Sequence, residues 1–478
     1  MPTEELRENS NIRQSEDAGS RNTLKVEEKD LRSHLSELDS AGLLLRVERE
    51  VDPKFELSSV VKAAEKVDKA ILFENVKGSS FRVVANLVVS RKMLSLLLNT
   101  KTEADTVPEY VRRSENPIKP QIVSKGPVKE IVEIGADADA TKLPIATHAV
   151  GDIAPFITAG MAIARDPETG YTNMSFNRMQ FKGAQKFGIR MMAPQHLGVI
   201  HDKAEKMGKN LEVAVVIGAH PFDMIAASTT LPFGADHFEL AGALAGKQVE
   251  LVRCETIDVN VPANAEFVLE GEVLANVREE EGPYGDVFQF YIPQTKNHVF
   301  RLKAITHRRD AIYHTIQAGS KEDIHLLALS REAHLYRALK YAGYQVKTVS
   351  NTPSLLGCVV SIKKRFEGEP KNAVMCCFGA HSWLKYCVVV DEDVNAFDMN
   401  DTWWAMVSRG RPDKGVFIVS EARGFPRDLH HLHQSKIGID ATAPMDAEEE
   451  KVRKYVPGEE NVRLEDYVSG SVNSPVAT

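Results

Sequence analysis

Hydrophobic and polar positions divide the chain into three stretches with different rhythms. From Glu28 to Lys101 helical and strand patterns alternate. EKDLRSHLSELDSAG carries apolar residues at helical spacing and closes on Gly42. LLLRVE follows as a strand, LSSVVKAAEKVDK as a helix, and AILFENV and FRVVANLVV as further strands. The text from Thr102 to Lys125 turns polar and carries Pro108, Pro117 and Pro120, which suits a linker.

Between Gly126 and Ile316 short β-rich runs dominate: KEIVEIG, FITAGMAIA, TNMSFNRMQF, FGIRMMA, LEVAVVIG, QVELVRCETIDVNV, AEFVLEGEVL and VFRLKAITHRRDAIYHTI. So many strands punctuated by Gly, Pro and Asn predict a barrel or sandwich, interrupted by one helix over roughly 236–244. After Lys321 the pattern EDIHLLALSREAHLYRALKYAG predicts a helix ending at Gly343, and alternation resumes. YQVKTVSN, CVVSIK, NAVMCCFG, KYCVVVD and GVFIVS read as strands and TWWAMVSR as a helix, which favours a mostly parallel sheet.

Composition narrows the class without changing the picture. The 478 residues are 43% hydrophobic and 26% charged, enough for two or three ordinary globular domains. A net charge of −8 argues against nucleic acid as a partner. No apolar run reaches the length of a membrane span, and residues 1–24 read as a polar, disordered tail without a secretory signal. Cys254, Cys358, Cys376, Cys377 and Cys387 lack C-x-x-C spacing and sit largely in apolar text, which reads as buried free thiols in a reducing cytoplasm.

The familiar nucleotide, zinc-protease and hydrolase motifs are missing. Asp391, Asp393 and Asn395 open like a calcium loop, but Ala396 stands where Gly is needed and Thr402 where Glu is needed. In GYTNMSFNRMQF, strand alternation puts Asn173, Ser175 and Asn177 on one face, with Arg178 at its end. Such a polar row is either an edge strand facing water or a ligand face, because a buried unpaired polar group costs about 1–3 kcal/mol. Gln195 and His196 follow a strand in a Pro-marked turn, and Glu239 sits with Asp236 on a helix flanked by small residues. A lone His is more often structural than a ligand; one Asn, one His and one Glu from three segments would, where they converge, be a donor set for a hard or borderline divalent ion. EEEGPYGDVFQFY is the most distinctive text. Gly282, Pro283 and Gly285 force a tight turn with Glu281 and Asp286 at its ends, among Tyr284, Phe288, Phe290 and Tyr291. A carboxyl in that setting is either a surface acid or a proton donor.

Taken as an ordered set, these motifs resemble the UbiD-like decarboxylases, which use prenylated flavin mononucleotide. LKYCVVVDEDVNAFDMNDTWWAMVSR and SKIGIDAT look like the family's C-terminal signature and closing motif, and the resemblance runs from about Leu31 to Asp440. It implies an α/β (α+β) fold: an N-terminal α/β domain with its linker over 25–125, a central split β-barrel of flavin-reductase type over 126–318, and a C-terminal α/β domain over 319–478. By motif matching, Asn173, His196 and Glu239 would hold a divalent ion, usually manganese, against the cofactor phosphate. Tyr171, Ser228, Thr229 and Leu231 would line a potassium site. Ser175, Phe176, Asn177, Arg178, Gln195 and Lys385 would contact the cofactor.

The resemblance also assigns chemistry. Losing CO2 leaves electrons on carbon, and no ordinary side chain is a sink for them, so a cofactor is required. Arg178 would pair with the substrate carboxylate as a planar fork, Glu281 would orient it, and Asp286 would return a proton to carbon. The family more often has Glu where Asp286 stands. The implied reaction is non-oxidative, reversible decarboxylation of an aromatic, heteroaromatic or α,β-unsaturated acid. A flavin prenyltransferase would supply the cofactor, and a homo-oligomer, dimer or hexamer, is the family's habit. Two rival readings fit the same residues: an oxidoreductase using unmodified FMN, and a non-catalytic assembly subunit.

Overall fold

The computed structural model describes residues 29–191 and 194–447, with positions 453, 454, 456–458, 462 and 467 beyond them. The tail expected over 1–24 lies outside the described residues. Alternation in the first stretch builds a four-stranded sheet in the order Leu44–Val47, Ala70–Phe73, Arg82–Ala85, Ile312–His314. Its last strand comes from the far end of the central stretch, a long-range pairing that local periodicity does not signal.

The central stretch forms a nine-stranded sheet, antiparallel in every pairing. Thr172–Phe176 lies at one edge, yet Met179–Phe181, which follows it in sequence, lies near the opposite edge. Three Cα steps span at most about 11 Å. The two edges must therefore curl toward each other, and the sheet is the expected strongly bent half-barrel. Asn177 and Arg178 bridge the gap, with the Asn177 N–H donating to the Gly160 carbonyl at 3.3 Å. Two expectations change. The QVELVRCETIDVNV run leaves the barrel, its strands Glu250–Arg253 and Asn260–Pro262 joining Gln121–Ile122 in a small separate sheet. Two helices, His196–Lys206 and Pro221–Ser228, join the expected one, which runs His237–Ala245.

The C-terminal sheet has five strands in the order Val346–Ser350, Gly357–Ile362, Tyr386–Asp391, Lys436–Ala441, Val416–Val419. Its inner pairings are parallel and its two outer pairings antiparallel, so the sheet is mixed rather than mostly parallel. NAVMCCFG, expected as a strand, is the body of the helix Glu369–Ala380. Pro370 in its first turn is the overlooked signal, since proline fits the start of a helix and a central strand poorly. Arg409 pairs with Asp391 and Asp393, so those acids anchor a helix end instead of a calcium ion.

The 21-residue helix Lys321–Tyr341 ties the N-terminal sheet to the C-terminal one. Glu322 in its first turn is buried and accepts from the N–H groups of Asn86 and Leu87 at 2.8 and 2.9 Å and contacts His314 at 3.1 Å. Glu332, two to three turns further along, is buried against Arg91 and accepts from the Asn351 N–H at 2.7 Å. The same helix therefore fixes one wall of a cavity, through Asp323, Leu326 and Leu327.

Candidate active site

At the gap in the half-barrel Arg178 emerges from the bridge and Glu281 ends the long strand Phe267–Glu281. The two side chains meet as a fork. Arg178 Nε donates to Glu281 Oε1 at 2.8 Å and Nη2 to Oε2 at 2.9 Å. Glu281 is fully buried and also accepts from Asn297 Nδ2 at 2.8 Å. A buried carboxylate is tolerated only when its lone pairs are this well satisfied. The arginine also lies over the Tyr284 ring, 4.6 Å from its centroid. Gly282, at φ 89°, makes the turn that follows, in backbone space that side chains disfavour.

Beyond that turn Asp286 stands on a small hairpin formed by Tyr284–Gly285 and Tyr291–Ile292. Its Oδ1 accepts from the Phe288 N–H at 3.0 Å, and its Oδ2 lies 3.8 Å from Arg427. Arg178 and Asp286 face one cavity of about 420 Å³, together with Phe176, Asn177, Gln195 and Ser228. Three further charged groups on its wall, Arg190, Asp323 and Arg427, were not singled out from the sequence as site residues. Burial, with Arg178 and Arg427 nearby, pulls Arg190 down to about 10, and burial likewise lowers Arg427. Three guanidinium groups thus face the cavity beside Asp286 and Asp323, offering a bound carboxylate or phosphate several cationic partners.

The polar row reads as a relay of hydrogen bonds. Asn173 Nδ2 donates to Ser175 Oγ at 3.3 Å, Ser175 to Asn177 Oδ1 at 2.9 Å, and Asn177 Nδ2 to the Arg190 carbonyl at 2.9 Å. His196 opens the helix His196–Lys206, with Gln195 as its cap residue. The Tyr171 hydroxyl lies 3.3 Å from His196 Nδ1 and 3.5 Å from Asn173 Oδ1, so these three groups converge. Burial holds His196 below its usual range and pushes Tyr171 up to about 12. A neutral imidazole beside an amide oxygen is a donor set that suits a divalent ion.

The remaining expected residues spread over two adjoining hollows. Thr229, Leu231 and Glu239 line a space of about 840 Å³, and Lys385 lines one of about 310 Å³. Trp383 borders all three cavities. Lys385 pairs there with Asp428 at 2.9 and 3.2 Å. Ser228 donates to carbonyls of its own helix and to that of Leu326 at 3.0 Å.

Asp323 carries a testable consequence. Its carboxyl accepts from the Gly319 N–H at 2.9 Å, and burial raises it to about 6. A carboxyl raised in the folded state contributes stability below its unfolded value that is lost as pH rises through the folded one. Asp323→Asn keeps an acceptor for Gly319 and removes the ionisation. Relative to wild type the variant is expected to gain on the order of 2 kcal/mol between pH 4 and pH 7, read by urea denaturation at each pH. A pH-independent difference would contradict this.

Comparison with known proteins agrees with this geometry. Family models for the 3-octaprenyl-4-hydroxybenzoate carboxy-lyase match residues 35–113 (N-terminal domain), 121–321 (Rift-related domain) and 324–441 (C-terminal domain). The chain is 36% identical over 427 residues to the anhydromevalonate phosphate decarboxylase of Methanothermobacter thermautotrophicus, covering 87% of this chain and 97% of that one. Among solved structures, the UbiD-class enzyme HmfF from Pelotomaculum thermopropionicum, in complex with FMN, superposes with a TM-score of 0.87 at 40% identity. That match covers 92% of this chain and all of the other. The 3,4-dihydroxybenzoic acid decarboxylase of Enterobacter cloacae gives a TM-score of 0.83 at 27% identity, over 90% and 97% of the two chains. With all three domain models matched in order around the Arg178–Glu281 fork, the chain belongs to the UbiD family of carboxy-lyases.

Proposed function

We propose that this protein catalyses the non-oxidative, reversible decarboxylation of an aromatic, heteroaromatic or α,β-unsaturated carboxylic acid with prenylated FMN as cofactor. The observation that carries the reading is the buried Arg178–Glu281 fork opening on a cavity that also holds Asp286. Relatives support it: an evolved dimeric form of HmfF was solved with prenylated FMN, and others are decarboxylases of hydroxylated benzoic acids or of anhydromevalonate phosphate.

The donor chemistry fits the cofactor. The Asn173–Ser175–Asn177 row, Phe176 and Gln195 would hold it, with Lys385 supplying charge toward its phosphate. Asn173, His196 and Glu239 would bind Mn2+ or another divalent ion, and Tyr171, Ser228, Thr229 and Leu231 a K+ ion. When bound, prenylated FMN supplies the sink for the electron pair released as the carboxylate carbon departs. The protein's own residues do the rest. Glu281 occupies Nε and Nη2 of Arg178 and fixes the guanidinium plane, which leaves Nη1 for the substrate carboxylate. Tyr284 and Phe176 give the cavity an apolar wall, and Asp286 delivers a proton to the carbon that lost CO2. A flavin prenyltransferase would supply the cofactor, and the chain would work in the cytoplasm as a homo-oligomer. No helix among the described residues is long and apolar enough to cross a membrane.

Co-expression with a flavin prenyltransferase, followed by absorbance and mass analysis of the released flavin, tests the cofactor assignment. Prenylated FMN is expected. Unmodified FMN with reductase turnover would favour an oxidoreductase, and absence of any flavin a non-catalytic role. In the same preparation His196→Ala should weaken manganese retention by at least about 10–100-fold, the loss typical of disturbing even a metal ligand's supporting partner. Elemental analysis after gel filtration reads this out, and wild-type manganese content in the variant would remove His196 from the site.

A further inference from the structure

Three of the five cysteines meet at one point in the core of the C-terminal sheet. Cys358 and Cys387 are register partners on the parallel strands Gly357–Ile362 and Tyr386–Asp391. Cys377 comes down on them from the helix Glu369–Ala380. Their sulfurs all lie within 4.8 Å of one another, and the three residues are 3%, 0% and 0% exposed. The surroundings are apolar: Val360, Val374, Phe378 and Val389 belong to the same packed cluster. Among the described residues no His, Asp or Glu joins the group. The decarboxylation proposed above uses none of these thiols.

Charge and coordination number decide what such a site can hold. Three thiolates around an ion at about 2.3 Å stand about 3.5–4 Å apart, inside the 4.8 Å within which these sulfurs already lie. Zinc takes four ligands in a closed structural site, and no fourth is offered here. Soft thiolates select soft ions, but three of them around a monovalent or divalent ion leave a net negative charge, which an apolar pocket strongly disfavours. A trivalent ion cancels the charge. We propose that Cys358, Cys377 and Cys387 form a binding site for trivalent arsenic, entered as arsenous acid.

The exchange is balanced without an oxidant. As(OH)3 and three S–H groups give As(SR)3 and three waters; three As–O bonds break, three As–S bonds form, and arsenic stays trivalent. Each S–H proton leaves with a hydroxyl of arsenous acid as water, so the three thiols need not be ionised beforehand. The site is closed, so uptake proceeds through local opening of the Glu369–Ala380 helix and is slower than reaction at the half-buried Cys376.

The experiment uses the full-length reduced protein, incubated with arsenite, passed through gel filtration and weighed intact. The expected product is one arsenic per chain at the mass of As minus three hydrogens. Fragmentation should place it on Cys358, Cys377 and Cys387. Cys254→Ser and Cys376→Ser should leave that product unchanged. Cys377→Ala should cut retention by about 100-fold, the effective-concentration advantage of a third linked ligand. Should that variant not fold, the wild-type mass and the mapped cysteines still decide. Absence of retained arsenic, the mass of a two-thiol adduct, or mapping to Cys254 or Cys376 would each overturn the proposal and leave the three thiols as core packing only. None of these outcomes depends on whether the protein decarboxylates anything.

Discussion

Arg178→Ala is expected to lower kcat/KM by about 10²–10⁴-fold on any acid that the wild-type holoenzyme accepts. The figure follows from the roughly 2–5 kcal/mol that truncating one partner of a buried, hydrogen-bonded charge pair costs a bound carboxylate, at about 1.4 kcal/mol per tenfold. Two losses combine. The substrate carboxylate loses its planar partner, and Glu281 is left fully buried, hydrogen-bonded to Asn297 and facing only the more distant charge of Arg190 among the groups described around it. The same variant should therefore melt at lower temperature and bind cofactor less well. Arg178→Lys should rescue little, because an ammonium cannot present the fork that Glu281 accepts at 2.8 and 2.9 Å. Steady-state kinetics with a melting curve separates the parts. A variant as stable as wild type and equally active would show that the fork has neither role.

The second large effect belongs to Asp286. Asp286→Asn should retain cofactor and fold, since an amide oxygen can still accept from the Phe288 N–H. It should lose about 10²–10⁴-fold in kcat, the usual worth of a positioned proton donor. In heavy water, wild type should place deuterium on the carbon that lost CO2, and the variant should form that product far more slowly. Asp286→Glu, the residue more frequent in the family, should restore a large part of the rate by reaching about 1 Å further. Full activity of Asp286→Asn would transfer the donor role elsewhere, with Asp323 on the same wall as the next candidate.

Much of this site was legible in the sequence because its residues are grouped by local geometry. Asn173, Ser175 and Asn177 share a face through the two-residue period of a strand, and Arg178 follows directly. Glu281 and Asp286 are set by the Gly-Pro turn between them. Other parts were hidden because they depend on distant pairings. Arg190 looks like any cation at the end of an apolar strand. Asp323 has the appearance of an ordinary first-turn acid on a helix capped by Ser320. Only the curl of the barrel and the packing of the Lys321–Tyr341 helix bring them to one cavity with Arg427. Misreading NAVMCCFG as a strand has the same origin. The segment is apolar nearly all round, so periodicity could not separate a buried helix from a buried strand, and Pro370 just before it was the deciding residue. That error also concealed the three-thiol cluster, which exists because a helix and two strands converge.

Release of CO2 is the most direct test of the central claim. Holoenzyme prepared with a flavin prenyltransferase should liberate CO2 from at least one member of a panel of aromatic, heteroaromatic and α,β-unsaturated acids. The Arg178→Ala protein, assayed on that acid, should release it at least about 100-fold more slowly. Release of CO2 at equal rates by the two proteins, or from no acid in the panel by wild type carrying its prenylated flavin, would contradict the account.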